Sequence, residues 1–334
     1  MTIKDLAKKT GYGVATVSRV LNNHPNVSEK ARAVIMKAVE ESGFELNDNA
    51  KQLKQQHSNS ILMVVKGTSN EMFGSLVEYI QSEIAKTEYP LLVDYIDEDD
   101  NEVLRTVRLC REKKPLGILI LGGNMEHFKS DFEKIEVPCV LVSSDASDLP
   151  FKNLSSVSTD DRLAAKCAMD KLIELGHRRF AIVGGDRNTS DTGRLRFEGC
   201  LDSCIEHGID FDKDKDYVGV RFSYQDGYDA TCLLLKNKRD FTALFAAADV
   251  MAIGAIRALK DNGLRVPEDI SVFGFDGLAL GSFLVPKLST VEQFVRKMAV
   301  KSVEILLDSI ENGGSAKHET VPFALRLRES TRKL

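Results

Sequence analysis

The segment Val14-Ala15-Thr16-Val17-Ser18-Arg19-Val20-Leu21 carries surface side chains suited to reading a polar groove. Val17, Val20 and Leu21 recur at helical spacing and must turn inward, which turns Val14, Ala15, Ser18 and Arg19 outward. Arg19 offers a planar fork that can bond two acceptors on one guanine edge, while Val14 and Ala15 are small and apolar enough to meet thymine methyls or a groove floor. Thr16, Ser18 and Asn22 carry short polar groups that reach phosphate oxygens and set register without reading sequence. Spacing alone favours this reading, with a small helical bundle used for protein contacts as the alternative.

The elements around this segment are marked out by their ends. Thr2-Ile3-Lys4-Asp5 has the S/T-x-x-D/E form of a capping box, and Thr10-Gly11 supplies the stop that a left-handed glycine gives. After the Gly11-Tyr12-Gly13 turn comes the Val14–Leu21 helix. A third helix is predicted from Ser28-Glu29 through Ala31, Ile35, Ala38 and Val39 to Gly43. Three short helices with a glycine turn between the first two form the helix-turn-helix unit, whose second helix enters a major groove.

Composition narrows the rest. The chain has 334 residues, 43% hydrophobic and 28% charged, enough for two or three domains with their own cores. Residues 1–56 carry nine basic and six acidic side chains, a balance of +3 in a chain of net charge −5. Any nucleic-acid contact is therefore expected at this basic head. The charged opening Met1–Asp5 and the lack of a long apolar run lead to the expectation of a cytoplasmic protein without a membrane segment. The cysteines at 110, 139, 167, 200, 204 and 232 form no C-x-x-C pair and read as core residues in a reducing compartment. No cofactor or metal is expected. No phosphate loop and no nucleophile-base pattern appears, so an enzyme is disfavoured, and the helix-turn-helix disfavours a binding protein that serves a transporter.

From residue 61 short apolar runs alternate with helical segments: Ile61–Val65, Leu91–Ile96, Gly117–Leu121, Val140–Ser143, Phe180–Val183, Ala243–Ala246 and Ser271–Phe275. These are the marks of buried parallel strands in a doubly wound α/β body, and about seven of them suggest two lobes. Ligands bind beyond the carboxyl ends of such strands. The loops in question are 67–73, 122–124, 143–145, 185–196, 247–250 and 276–283.

Thr2–Ala7, Ala15–Asn22 and Val27–Arg32 resemble the head of the lactose/galactose repressor family, and Leu175–Gly185, Asp249–Ala255, Val266–Asp276 and Leu327–Thr331 resemble its body. The resemblance implies a DNA-binding transcription repressor, not an enzyme, acting as a homodimer on a pseudo-palindromic double-stranded operator and controlled by a sugar-like effector. It places Val14, Ala15 and Arg19 at base-reading positions, with Gly13 standing where the family usually has a serine cap.

It also makes residues 47–54 a hinge helix, with Leu53 wedged into the minor groove and Ala50, Lys51 and Lys54 beside it. Without the resemblance, packing of Leu53 on a neighbouring domain is the favoured reading. For the body the resemblance implies a fold like that of periplasmic sugar-binding proteins, with crossovers near 159–162, 287–291 and 321–324. The expected division is a helix-turn-helix at 1–46, hinge and linker at 47–60, one lobe from 61–160 plus 290–321, and a second from 161–289 plus 322–334. At the cleft it puts Phe73 on the ligand ring, Arg196 on ligand hydroxyls or carboxylate, and Asp276 as a facing acid. Ser143 and the pair Ala248-Asp249 belong to the same cleft, Ser143 replacing an acid and Ala248 an asparagine.

Overall fold

The computed structural model describes residues 3–21, 27–42, 58–67, 69–187, 189–237 and 240–334, and the chain divides into two compact units, Met1–His57 and Ser58–Leu334. In the head, α1 (Ile3–Thr10), α2 (Val14–Leu21) and α3 (Glu29–Ser42) enclose a small core of Leu6, Ala7, Val17, Val20, Ile35 and Ala38. Gly11 ends α1 with φ +73°, and its N–H donates to the Ala7 carbonyl. A side chain would strain this conformation, hence glycine. Ser28 caps α3 by accepting from the Ala31 N–H at 3.3 Å.

The second unit contains two six-stranded sheets. The first holds β1 (Ile61–Lys66), β2 (Leu91–Ile96), β3 (Gly117–Leu121), β4 (Cys139–Val142), β5 (Leu154–Thr159) and β11 (His318–Val321), in the order β11-β5-β4-β3-β1-β2 with every pair parallel. The second holds β6 (Phe180–Gly184), β7 (Tyr217–Gly219), β8 (Ala243–Ala246), β9 (Ser271–Asp276), β10 (Ser289–Gln293) and β12 (Phe323–Arg326), in the order β12-β10-β9-β8-β6-β7. Only β12 runs antiparallel there. Central strands such as Gly117-Ile118-Leu119-Ile120-Leu121 are buried on both faces, so they read as continuous apolar runs.

The helices are α4 (Glu71–Ile84), α5 (Glu102–Lys113), α6 (Met125–Asp131), α7 (Asp161–Glu174), α8 (Asp191–Glu206), α9 (Tyr224–Asn237), α10 (Asp249–Asp261) and α11 (Val295–Asn312). The chain passes between the sheets after Thr159, after Gln293 and after Val321. The middle crossing falls beyond the expected 287–291, because Thr290–Gln293 pair with β12 and the Thr290 hydroxyl bonds the buried Asp249. Those four residues therefore belong to the second sheet.

Helices α9 and α10 pack through Gly227 and Gly254: a Cβ on Gly254 would collide with the Tyr224 carbonyl oxygen, and one on Gly227 with that of Met251. Backbone atoms cannot swing aside as a side-chain tip can. Gly254→Ala is accordingly expected to cost at least about 1 kcal/mol of stability, read as a lower denaturant midpoint. An unchanged midpoint would refute the close packing.

Candidate DNA-reading helix and ligand cavity

On α2, Val17 and Val20 are buried and Leu21 partly so, while Val14 is 44% exposed and Ala15 and Arg19 also face solvent. Thr16 and Ser18 are half-buried. The helix opens on the Gly13 carbonyl, which accepts from the Thr16 and Val17 N–H groups. Among the described residues, the head's ion pairs join Lys9 and Lys37 to Glu41 and do not include Arg19. One exposed face thus presents an arginine fork beside two small apolar side chains, the set that base edges in a major groove require. Asn22, Ala50, Lys51, Leu53 and Lys54 lie outside the described residues.

In the second unit a cavity of about 310 Å³ opens between the two sheets, at the small end of the range for metabolite pockets. Its wall is built from strand ends: Lys66 and Gly67 at the end of β1, Gly122 and Gly123 after β3, Ser143 after β4, Asp186 after β6 and Gly219 at the end of β7. In each sheet the strand order reverses here, at β1 and at β6, where doubly wound sheets leave a crevice. Phe73 lies over Gly122, its ring 3.0 Å from where a Cβ would sit, and Phe222 lies likewise over Gly185 at 2.8 Å. Each ring lies close over a glycine, where a side chain would make it shift.

Arg196, 2% exposed, lines the cavity and is held from behind. Its Nε donates to Asp161 Oδ1 at 2.7 Å, its Nη1 to the Ala247 carbonyl at 2.5 Å, and Asp276 Oδ1 stands 3.5 Å away. The guanidinium also stacks on Phe275 at 3.7 Å. Lys66 donates to Glu102 Oε2 at 2.5 Å, and the fully buried Glu102 also accepts from the Asn124 N–H, fixing the 122–124 loop. Ser143 lines the wall with φ +75°, a strained conformation for a residue with a side chain.

Three expected cleft residues stand elsewhere. Ala248 is fully buried at the start of α10. Asp249 is also fully buried; its Oδ2 accepts from the Leu278 N–H and its Oδ1 from the Thr290 hydroxyl, both at 2.7 Å. Asp276, with φ +122°, accepts from Gln293 Nε2 at 2.9 Å on Oδ1, while among the described residues its buried Oδ2 meets no hydrogen-bond partner. None of the three forms the cavity wall, because Arg196 and the ends of β1, β3 and β7 occupy it.

Sequence reasoning missed Lys66, Glu98, Asp99, Arg221 and Phe222, all of which line the cavity. The strand-end rule applied to Leu91–Ile96 would have flagged Glu98 and Asp99. Arg221 and Phe222 follow the three-residue β7, which is too short to show a pattern. Across the cleft Arg221 pairs with Asp97 and Asp99, Tyr224 donates to Glu71 at 2.5 Å, and the Met125 N–H donates to Asp191 at 2.7 Å. His177 is buried between Thr242 and the Arg332 carbonyl.

Burial, followed by the nearby Asp276, pushes the Asp249 carboxyl up to about 8 from 3.8. Burial also lifts Asp276, to about 6, against the pull of Arg196. A carboxyl whose folded pKa exceeds its unfolded value makes the native state bind the extra proton, so stability falls as pH rises from about 4 to about 8 and then levels. Asparagine at 249 could keep one acceptor and donate to Thr290. Asp249→Asn is therefore expected to gain stability relative to the parent as pH rises from about 5.5 to about 8, by on the order of 1 kcal/mol or more. Thermal melts across pH test this; a parallel pair of curves would refute it.

A helix-turn-helix head with a two-lobed body that encloses a ligand-sized cavity defines a DNA-binding transcription regulator responsive to a small molecule. Residues 2–47 match the family model for bacterial regulatory proteins of the lacI family, and 169–331 match a periplasmic binding protein-like domain. The HTH-type transcriptional regulator MalR of Clostridium butyricum is 36% identical over 99% of both chains, and DegA of Bacillus subtilis is 31% identical over 100% of this chain and 98% of its own. The structure of the lac repressor dimer bound to operator and the anti-inducer ONPF superposes with TM-score 0.78 at 25% identity, covering 99% of each chain. The chain belongs to the lacI family of transcription regulators, which is not a family of enzymes.

Proposed function

We propose that the chain represses transcription as a homodimer on a pseudo-palindromic operator, and that a sugar-like effector bound in the interlobe cavity sets its operator affinity. One observation carries the reading: a single cavity sits at the carboxyl-end switch points of both sheets, with a ring from each lobe, Phe73 and Phe222, on its wall. A ligand touching both lobes binds one relative arrangement of them better than another, and that difference is what shifts an equilibrium.

In this reading Val14, Ala15, Ser18 and Arg19 enter the major groove, Thr16 and Asn22 contact the backbone, and Ala50, Lys51, Leu53 and Lys54 form the minor-groove hinge. Phe73, Ser143 and Arg196 contact the effector, with Asp276 supporting Arg196. The lobes are proposed as 61–160 plus 294–321 and 161–293 plus 322–334. The operator-bound lac repressor dimer to which the chain is similar supports the dimer, and a DNA operator as partner supports a cytoplasmic location.

Leu53→Ala is expected to weaken operator binding by about tenfold or more while leaving random-sequence binding nearly unchanged, because a wedge acts only where a base step can be kinked. Fluorescence anisotropy against an operator selected from random DNA and against scrambled DNA measures both. Equal loss on the two would remove the wedge role. The same titrations with a sugar panel test the effector: a sugar that stabilises the protein yet never changes operator affinity would refute the switch.

A further inference from the structure

Charge along the cavity wall selects among effector chemistries, an inference that rests on the effector reading above. Among the described residues three basic side chains line the cavity, and each is already committed to protein acceptors. Lys66 is bound to the buried Glu102, whose Oε2 is shared with His127 at 2.9 Å. Arg196 is bound to Asp161 and the Ala247 carbonyl, with Asp276 beside it. Arg221 is bound to Asp97 and Asp99. Against them the wall presents the carboxyls of Glu98, Asp99 and Asp186.

Glu98 stands apart in this set. It packs on Gly67, 3.7 Å from where a Cβ would lie, and no lysine or arginine is within ion-pair distance among the described residues. Burial raises its pKa, offset in part by the charge of Arg221 and by the Phe222 N–H that it accepts from. It is thus a half-buried acceptor at the wall, beside an aromatic ring.

An anionic ligand would meet these carboxyls in a partly desolvated space where, among the described residues, every lining cation is already paired, at a cost that neutral ligands avoid. Hydroxyl groups instead donate charge-assisted hydrogen bonds to a carboxylate, while the apolar face of a sugar ring lies on Phe73 or Phe222. We infer that the effector is an uncharged polyhydroxyl compound, a neutral mono- or disaccharide, and that Glu98 is the specificity-determining residue that accepts its hydroxyls and rejects acidic and phosphorylated counterparts.

The test is thermal-shift screening followed by calorimetry on the full-length protein, with neutral sugars such as glucose, ribose, maltose and cellobiose set against glucose 6-phosphate, gluconate and glucuronate. Expected is that a neutral sugar binds and no acidic or phosphorylated compound does. Glu98→Gln should weaken that sugar about tenfold or more, the effect of losing a charged hydrogen-bond acceptor. Glu98→Lys should admit an anionic counterpart that the parent rejects. Binding of an anionic compound to the parent, or undiminished binding of the neutral sugar to Glu98→Gln, overturns the inference and leaves the effector reading standing. If no compound of either kind binds the folded protein, the effector reading falls and the inference with it.

Discussion

Replacing Arg196 by leucine is expected to lower the stability of the second unit by about 3–5 kcal/mol, the usual effect of removing one partner from a buried ion pair. The guanidinium is 2% exposed and faces Asp161 and Asp276, themselves 4% and 1% exposed. Without it both carboxyls must take up a proton or remain charged in the core, and the Ala247 carbonyl loses its donor. The loss should therefore be larger near pH 8 than near pH 5.5, since protonation relieves it at the lower value. Arg196→Lys should recover part of the stability by restoring charge, but not all, because a single ammonium cannot reproduce the fork that reaches both Asp161 and Ala247. Chemical denaturation at both pH values reads the effect. An Arg196→Leu protein with the parent's midpoint would show that the buried cluster is not an ion-pair network.

Arg19→Ala is expected to reduce operator affinity by about 10–100-fold, the discrimination that one bidentate arginine-guanine pair supplies. The head should stay folded, since Arg19 lies on the exposed face of α2 and the core is carried by Leu6, Val17, Val20 and Ile35. Specificity should relax at one position of each half-site while binding to scrambled DNA falls only slightly, through the loss of one charge. Anisotropy titrations against single-base operator variants measure this. A uniform loss across all sequences would move Arg19 from base reading to phosphate contact.

The head was readable because its signals are local. Gly11 stops a helix, Ser28 starts one, and the apolar period places Val17 and Val20 inside and Arg19 outside. Seven strands were readable for a related reason: in all but the edge strand β2, burial on both faces makes the run largely apolar. The remaining five were not. Leu154-Ser155-Ser156-Val157-Ser158-Thr159 reads as a loop, yet it is a buried strand. Ser155 accepts from the Lys317 N–H, and Ser156 bonds His318 and Asp145, partners 162 and 11 residues away. Polar groups satisfied by distant chain are invisible to a local pattern.

At the cavity the strand-end rule found the loops that hold Phe73, Ser143 and Arg196, but it could not tell wall from support. Asp249, at the start of α10, and Asp276, at the end of β9, stand beside strand ends as the rule requires, yet their carboxyls turn to Thr290, Leu278 and Gln293 instead of the cavity. Conversely, Asp97-Glu98-Asp99-Asp100 looks like a solvated charge run, and only the meeting of two lobes makes Glu98 and Asp99 part of a ligand wall.

The central claim is that one molecule in the interlobe cavity sets the affinity of the head for DNA. Its most direct test is a linkage measurement: operator affinity with and without a saturating sugar shown by calorimetry to bind the cavity, together with sugar affinity with and without operator, in the parent and in Phe73→Ala. Expected is a change of about 5–150-fold in operator affinity, an equal reciprocal change in sugar affinity, and loss of both in Phe73→Ala at the same sugar concentration. A sugar that binds the cavity tightly while operator affinity stays the same would contradict the claim.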